Sequence, residues 1–327
     1  KYIDFAHEMS WEYSLIDAGW DYRGINIKEL ANYAAKKNVK LLLWYNSGGP
    51  INQVDAGPRD RMFDPKIRRE EMKRIADLGI KGIKVDFFGS DKQDFIKLYH
   101  DILEDAAEFK LLVNFHGCTI PRGWLRTYPN LISMEAVLGE EGYIYRTDYP
   151  EKAPKHCTIL PFTRNVIGPM DYTPVAFSFQ QFPHKTSFGF ELALSIVFES
   201  GIQHFPDKPE IYLSQPREVV EFLKDVPVAW DETKLLSGFP GSDVLIAREK
   251  EGDWYVGCIN GEPIEKEIEV NFNFLEPNSE YKAVIIKDGD DSKKFFIENK
   301  TVIKGHLASI KVLPHGGFVI QLNRNPS

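Results

Sequence analysis

Short apolar runs alternate with stretches of helical periodicity along the first two thirds of this chain. Ile3, Phe5, Ala6 and Met9 mark an opening amphipathic helix, and residues 12–17 read as a strand leading into Ala18-Gly19-Trp20. Residues 26–37 predict a helix with Leu30, Tyr33 and Ala34 on one face, and 39–46 a strand. Asp64-Pro65 opens a helix that Gly79 stops, since Pro suits a first turn and Gly an exit. The run Ile80, Gly82, Ile83, Val85 is a buried parallel strand ending in Asp86. A helix over 92–108, a strand over 111–117, a short helix over 124–128 and a strand over 131–135 follow. Shorter strands are expected at 157–162 and 203–205, and helices at 186–199 and 215–223.

Seven strands of the βα type result, and the opening helix calls for one more ahead of it. Eight is the number of a (β/α)8 TIM-type barrel. We therefore expect an α/β barrel whose first strand is missing from this chain, which would be the C-terminal part of something longer. A doubly wound open sheet is the alternative, but no Gly-rich phosphate turn follows any strand. From about Phe239 the texture changes to partly alternating strands at 243–248, 254–260, 264–274, 281–287, 302–312 and 317–322. That pattern predicts a small C-terminal antiparallel β domain with one wet face. The expected division is a catalytic barrel over 1–236 and a β-sandwich-like domain over 237–327.

A chain of 327 residues can bury a barrel-sized core plus a small second one. A formal charge of −8 argues against nucleic acid as a partner, and no apolar stretch has membrane-spanning length. Cys118, Cys157 and Cys258 show no zinc or redox spacing.

The chemistry gathers at predicted strand ends: Asp17 and Trp20, Trp44 and Asn46, Lys84 and Asp86, Asn114 and His116, then Glu135, with Glu140, Glu141, Arg164, Asn165 and Asp171 on later loops. In a β/α barrel the C-terminal strand ends hold the active site. Carboxylates, amides and indoles around one mouth suit a sugar, whose CH faces stack on Trp and whose hydroxyls need polar partners. Glycosidic cleavage takes two carboxyl groups, one ionised and one carrying a proton. Asp86 is the better ionised group, because Lys84 projects from the same strand face and its charge favours the carboxylate. The proton donor comes from Glu135, Glu140 or Glu141, and Glu140-Glu141 also reads as a solvated surface pair.

The motif Lys84-Val85-Asp86-Phe87 resembles the Lys-x-Asp motif at the fourth strand of α-galactosidase-type barrels, glycoside hydrolase clan D. Asp17-Ala18-Gly19-Trp20, Leu43-Trp44-Tyr45-Asn46, Lys84 to Phe88, Asn114-Phe115-His116-Gly117 and Glu135 to Glu141 together resemble glycoside hydrolase family 97 of gut Bacteroidetes. Pro161 to Asn165 and Gly168 to Pro174 complete the set, over about residues 1–230 and on into the β domain.

The resemblance implies an N-terminal β-sandwich domain in the parent chain, a barrel and a C-terminal β domain. Inverting α-glucosidases of the family carry a base Glu at the fifth strand and no acid at the fourth; retaining α-galactosidases carry the fourth-strand Asp instead. Here the fourth-strand position is Asp86 and the fifth-strand position Gly117, the retaining pattern. The resemblance assigns Asp86 as nucleophile, Glu141 as acid/base, and Glu135 with Glu141 to a calcium ion. Asp17, Trp20, Trp44, Asn46, Lys84, His116, Arg164 and Asp171 are the expected sugar contacts. The expected substrate is an oligosaccharide with a terminal α-galactose, and the expected location, by family, is the periplasm. The rivals are an inverting α-glucosidase, a hydrolase of β-L-arabinopyranosides, which share galactose stereochemistry at the ring carbons, and a non-catalytic carbohydrate-binding barrel.

Overall fold

The computed structural model describes residues 1–179 and 181–324. The chain divides into two compact units, residues 1–137 with 167–171, and residues 138–166 with those from 172 onward.

The first unit runs α1 (Tyr2–Glu8), β1 (Tyr13–Ile16), α2 (Ile27–Lys36), β2 (Lys40–Asn46), α3 (Pro65–Asp77), β3 (Gly82–Asp86), α4 (Gln93–Glu108), β4 (Leu112–Phe115) and β5 (Leu131–Met134). The strands form a parallel sheet in the order β1-β2-β3-β4-β5. Local chemistry sets the helix ends. The Asn26 side chain accepts from Glu29 N at 3.2 Å. Asp64 accepts from Lys66 N and Ile67 N at 2.9 and 3.0 Å, with Pro65 at the first helical position. Gly79, at φ +87°, follows the last turn of α3.

The two faces of the sheet have different jobs. Leu41, Leu43 and Tyr45 of β2, Ile83 and Val85 of β3, and Val113 and Phe115 of β4 join one buried cluster with Met72 and Ile75 of α3 and Leu98, Tyr99 and Ile102 of α4. Alternation then sends Trp44, Asn46, Lys84, Asp86 and Asn114 to the opposite face. Parallel register sets Trp44 beside Lys84, Lys84 beside Asn114, and Asn46 beside Asp86. One strand period thus sorts the helix-facing core from the polar face.

Among the described residues the parallel sheet has five strands where the pattern predicts seven. Residues 157–162 are not a strand. They lie in α6 (Tyr149–Ile159) and a 3-10 turn over Leu160–Phe162. The buried residues of α6 are Tyr149, Pro150, Ala153, Pro154, Cys157 and Thr158, a helical spacing that outweighs the strand-like run Cys-Thr-Ile-Leu. Residues 203–205 are also outside any strand. Gln203 Nε2 instead donates to Ser195 O and Phe198 O, closing the end of the preceding helix. A further parallel contact does reach the sheet from later in the chain, the isolated bridge of Met134 to Met170.

The second unit continues with α5 (Gly142–Tyr145), α6, α7 (Phe188–Val197), α8 (Pro209–Leu213) and α9 (Arg217–Asp225). Strands β6 (Glu232–Phe239), β7 (Asp243–Lys250), β8 (Asp253–Asn260), β9 (Lys266–Asn271), β10 (Glu280–Asp288), β11 (Phe295–Ile303), β12 (Leu307–Val312) and β13 (Gly317–Arg324) follow. Six of them form an antiparallel sheet in the order β11-β10-β13-β8-β7-β6, and β12 pairs with β9. The expected strand over 302–312 divides at Gly305, whose φ of +86° makes the turn between β11 and β12.

Trp254, Val256 and Cys258 of β8 share a core with Ile268 and Val270 of β9 and Ile310 and Val312 of β12. The expectation of one wet face fails at the centre of the large sheet. Strands β8 and β13 are buried on both faces, because α7 packs on them. A Cβ on Gly257 would stand 3.0 Å from Ile196 Cβ, so the missing side chain lets the helix approach.

Candidate active site

Asp86 ends β3 on the polar face and is half-buried. Its Oδ1 accepts from Phe87 N at 2.6 Å and its Oδ2 from Trp44 Nε1 at 3.3 Å. Phe87 takes a left-handed φ of +65°, unusual for an aromatic residue, and this turn aims its N–H at the carboxylate. Beyond the end of β4 lies Gly117, at φ +48°. A Cβ there would meet Asp86 Oδ1 at 2.7 Å and Phe87 N at 2.7 Å. Asp86 therefore occupies the space that a side chain at position 117 would need.

A second cluster sits beside it in the same unit. Asp171 N donates to Met134 O at 3.0 Å, next to the Met134–Met170 bridge, and this carries Asp171 to the sheet. Asp171 Oδ2 is 2.6 Å from His116 Nε2 and accepts from Asn114 Nδ2 at 2.6 Å. The other ring nitrogen of His116 lies 3.7 Å from Glu135 Oε1. Burial and the Lys84 charge push the imidazole toward its neutral form, but Asp171 and Glu135 outweigh them and the pKa rises. Lys84, Asn114, His116 and Asp171 are all buried.

The remaining expected contacts divide. Trp44 is buried and directed at Asp86. Trp20 is also buried, donates to Trp44 O at 2.8 Å and packs edge-on to Tyr45, so it supports the indole that touches Asp86. Asn46 is buried, and its amide is engaged by the following loop: Nδ2 donates to Val54 O and Ala56 O, and Oδ1 accepts from Gly48 N and Asn52 Nδ2. Asp17 is exposed past the end of β1 and accepts from Ala18 N.

Arg164 and Glu141 belong to the second unit. Arg164 is buried, and Glu141 is exposed ahead of α5. The pair Glu140-Glu141 is split: Glu140 is buried while its neighbour faces solvent. Burial first, then the charges of Glu191 and Asp207, raise the Glu140 carboxyl well above its usual range. His184, Glu191 and Tyr143 surround Glu140, and none of the three stood out in the sequence.

The calcium expectation rests on Glu135 and Glu141. Glu135 Oε2 accepts from Gly117 N at 2.7 Å, and its other oxygen faces His116. A hard cation takes six to eight oxygens. Among the described residues no group of three or more His, Cys, Asp or Glu side chains close enough to share an ion includes Glu135. These residues do not make up a calcium site by themselves. Among the described residues no helix is long and apolar enough to cross a membrane.

Residues 1–137 match the family model described as glycoside hydrolase 97, and 229–323 match the one described as glycosyl-hydrolase 97 C-terminal, oligomerisation. The chain is 35% identical over 331 residues to a probable retaining alpha-galactosidase of Streptomyces bingchenggensis, covering 97% of this chain and 48% of that protein. It is 32% identical over 345 residues to a retaining alpha-galactosidase of Bacteroides thetaiotaomicron, covering 98% and 49%. The chain thus spans about half the length of the curated relatives it matches. A solved β-arabinopyranosidase superposes with a TM-score of 0.92 at 35% identity, over 98% of this chain and 52% of that one.

Proposed function

Since this chain belongs to glycoside hydrolase family 97, we propose that it carries the catalytic carboxyls of a retaining α-galactosidase acting on oligosaccharides. The observation that supports this most is the exclusion between Asp86 and any side chain at position 117. An inverting arrangement with a base on the 117 side would need the volume that Asp86 fills.

In the proposed reaction Asp86 attacks the anomeric carbon, the C–O bond to the leaving group breaks, and Glu141 gives that oxygen its proton. Glu141 then takes a proton from water, the water oxygen bonds to the anomeric carbon, and the bond to Asp86 breaks. Two inversions return the α configuration. Trp44 Nε1 and Phe87 N fix the direction of the Asp86 carboxylate before attack. Lys84 and the Asn114–His116–Asp171 cluster supply charged and polar groups for sugar hydroxyls. Calcium and a periplasmic location belong to this proposal on the family resemblance alone.

A second reading, cleavage of β-L-arabinopyranosides, is favoured by the similarity to the β-arabinopyranosidase structure and uses the same two carboxyls. Trapping with an activated fluoro-galactoside followed by peptide mass mapping tests the nucleophile. A label on the Asp86 peptide supports the proposal, and a label elsewhere removes it.

A further inference from the structure

Glu140, His184 and Glu191 meet inside the second unit. His184 Nε2 lies 3.1 Å from Glu140 Oε1, and Nδ1 lies 3.3 Å from Glu191 Oε1. One ligand atom from each residue falls within 4.8 Å of the other two. The three side chains are 8%, 5% and 2% exposed in chain order. Local structure explains the meeting. Ser187 caps α7 by accepting from Phe190 N, which turns the first-turn Glu191 back toward the segment that carries His184. Thr186 adds a hydroxyl hydrogen bond to Glu191 Oε1. Tyr143 of α5 lies flat on the imidazole, with ring centres 3.8 Å apart and planes 7° from parallel.

The cluster is short of positive charge and of donors. Among the described residues, both oxygens of Glu140, Oε2 of Glu191 and the buried Tyr143 hydroxyl lack a hydrogen-bond partner. The 3.1 Å approach of His184 to Glu140 is not aligned as a hydrogen bond. The one imidazole faces both carboxyl groups, and three of their four oxygens have no hydrogen-bond partner among the described residues. Lys293, which feels the Glu191 charge, donates to Thr186 O. Asp207 adds negative charge toward Glu140 and is itself held by Phe177 N, Ser178 N and the Ser178 hydroxyl. Buried carboxylates without donors are costly, and such groups are found paired or on metals.

We propose that Glu140, His184 and Glu191 bind one divalent cation of the zinc class. Two carboxylates balance its charge, and a neutral imidazole supplies the nitrogen that calcium and magnesium sites lack. Ligand bonds of about 2.0–2.2 Å put tetrahedral ligand atoms roughly 3.4 Å apart, so small side-chain rotations close the site around an ion. Glu191 divides its oxygens: Oε1 holds the contacts to His184 and Thr186, and the unpartnered Oε2 turns to the metal. Three protein ligands leave a fourth position for water. The ion ties the turn bearing Glu140 to the start of α7. The site stands whether or not the chain cleaves glycosides.

The test uses the full chain produced in zinc-supplemented medium, because a site this buried loads best during folding. Elemental analysis after dialysis is expected to give about one zinc per chain. Glu191→Gln and His184→Asn are expected to lower zinc retention about tenfold or more, while His7→Gln, at an exposed histidine, leaves it unchanged. Cobalt-loaded wild-type protein is expected to show the strong visible bands of four-coordinate cobalt. Folded wild-type protein with no retained zinc overturns the proposal. So do zinc contents that survive in both folded variants. Should the variants not fold, the cobalt spectrum of the wild type decides, and absent or weak six-coordinate bands count against the site.

Discussion

A Cβ on Gly117 would stand 2.7 Å from Asp86 Oδ1, closer than real Cβ atoms approach anything. The strand end that carries the carboxylate and the loop beyond the next strand compete for one volume. Gly117 also holds φ at +48°, where an L side chain is strained. Gly117→Ala is expected to displace Asp86, lowering kcat about 100-fold and stability by roughly 1–2 kcal/mol. Steady-state kinetics beside urea unfolding checks both. A Gly117→Ala enzyme with wild-type kcat would show that Asp86 does not need its present position.

Trp44→Phe keeps the ring but removes the indole N–H that reaches Asp86 Oδ2 at 3.3 Å. That distance marks a modest hydrogen bond, so the expected loss in kcat/KM is about tenfold. The pH profile and anomeric outcome stay as in wild type. A much larger loss would place Trp44 on the sugar as well.

For Glu141→Gln, the leaving group decides the size of the effect. A substrate whose aglycone needs a proton is expected to lose about 10²–10⁴ in kcat/KM. An activated aryl galactoside, whose leaving group needs no proton, should lose much less. Equal losses on both substrates would remove Glu141 from the acid role and return attention to the other carboxyls.

Asp288 predicts a pH dependence in the second unit. Burial lifts its carboxyl to about 6 despite hydrogen bonds from Ser187, Gly317 N and Gly189 N and the nearby Lys293 charge. Its folded pKa thus exceeds the ordinary aspartate value of 3.8, so between those values the folded state holds more protons than the unfolded one. Stability from this group is greatest at low pH and falls as pH rises from about 4 to 6, by roughly 2–3 kcal/mol. Asp288→Asn removes that slope. Denaturant unfolding of both proteins at pH 4.5 and 7 checks it, and parallel pH trends would contradict it.

The sequence made the first unit largely legible because each signal there is local. Asn26, Asp64-Pro65 and Gly79 mark helix ends by side-chain and backbone chemistry that needs no distant partner. The polar set Trp44, Lys84, Asp86, Asn114 follows from strand alternation alone. What stayed hidden depends on packing. The run at 157–162 looks extended until Tyr149, Ala153 and Cys157 are seen buried along one helix. Glu140 and Glu141 look alike in sequence, yet one is buried beside His184 and the other exposed, a difference set by residues more than forty positions away. The link between His184 and Glu191 carries one faint local trace, the Ser187 cap that aims the helix between them.

The most direct test of the catalytic assignment is proton NMR of p-nitrophenyl α-galactoside hydrolysis, followed from the first minutes in calcium-containing buffer. The account predicts that α-galactose appears first and the β anomer grows in only by mutarotation. Initial release of β-galactose would mean a single inversion, and Asp86 could not be the nucleophile.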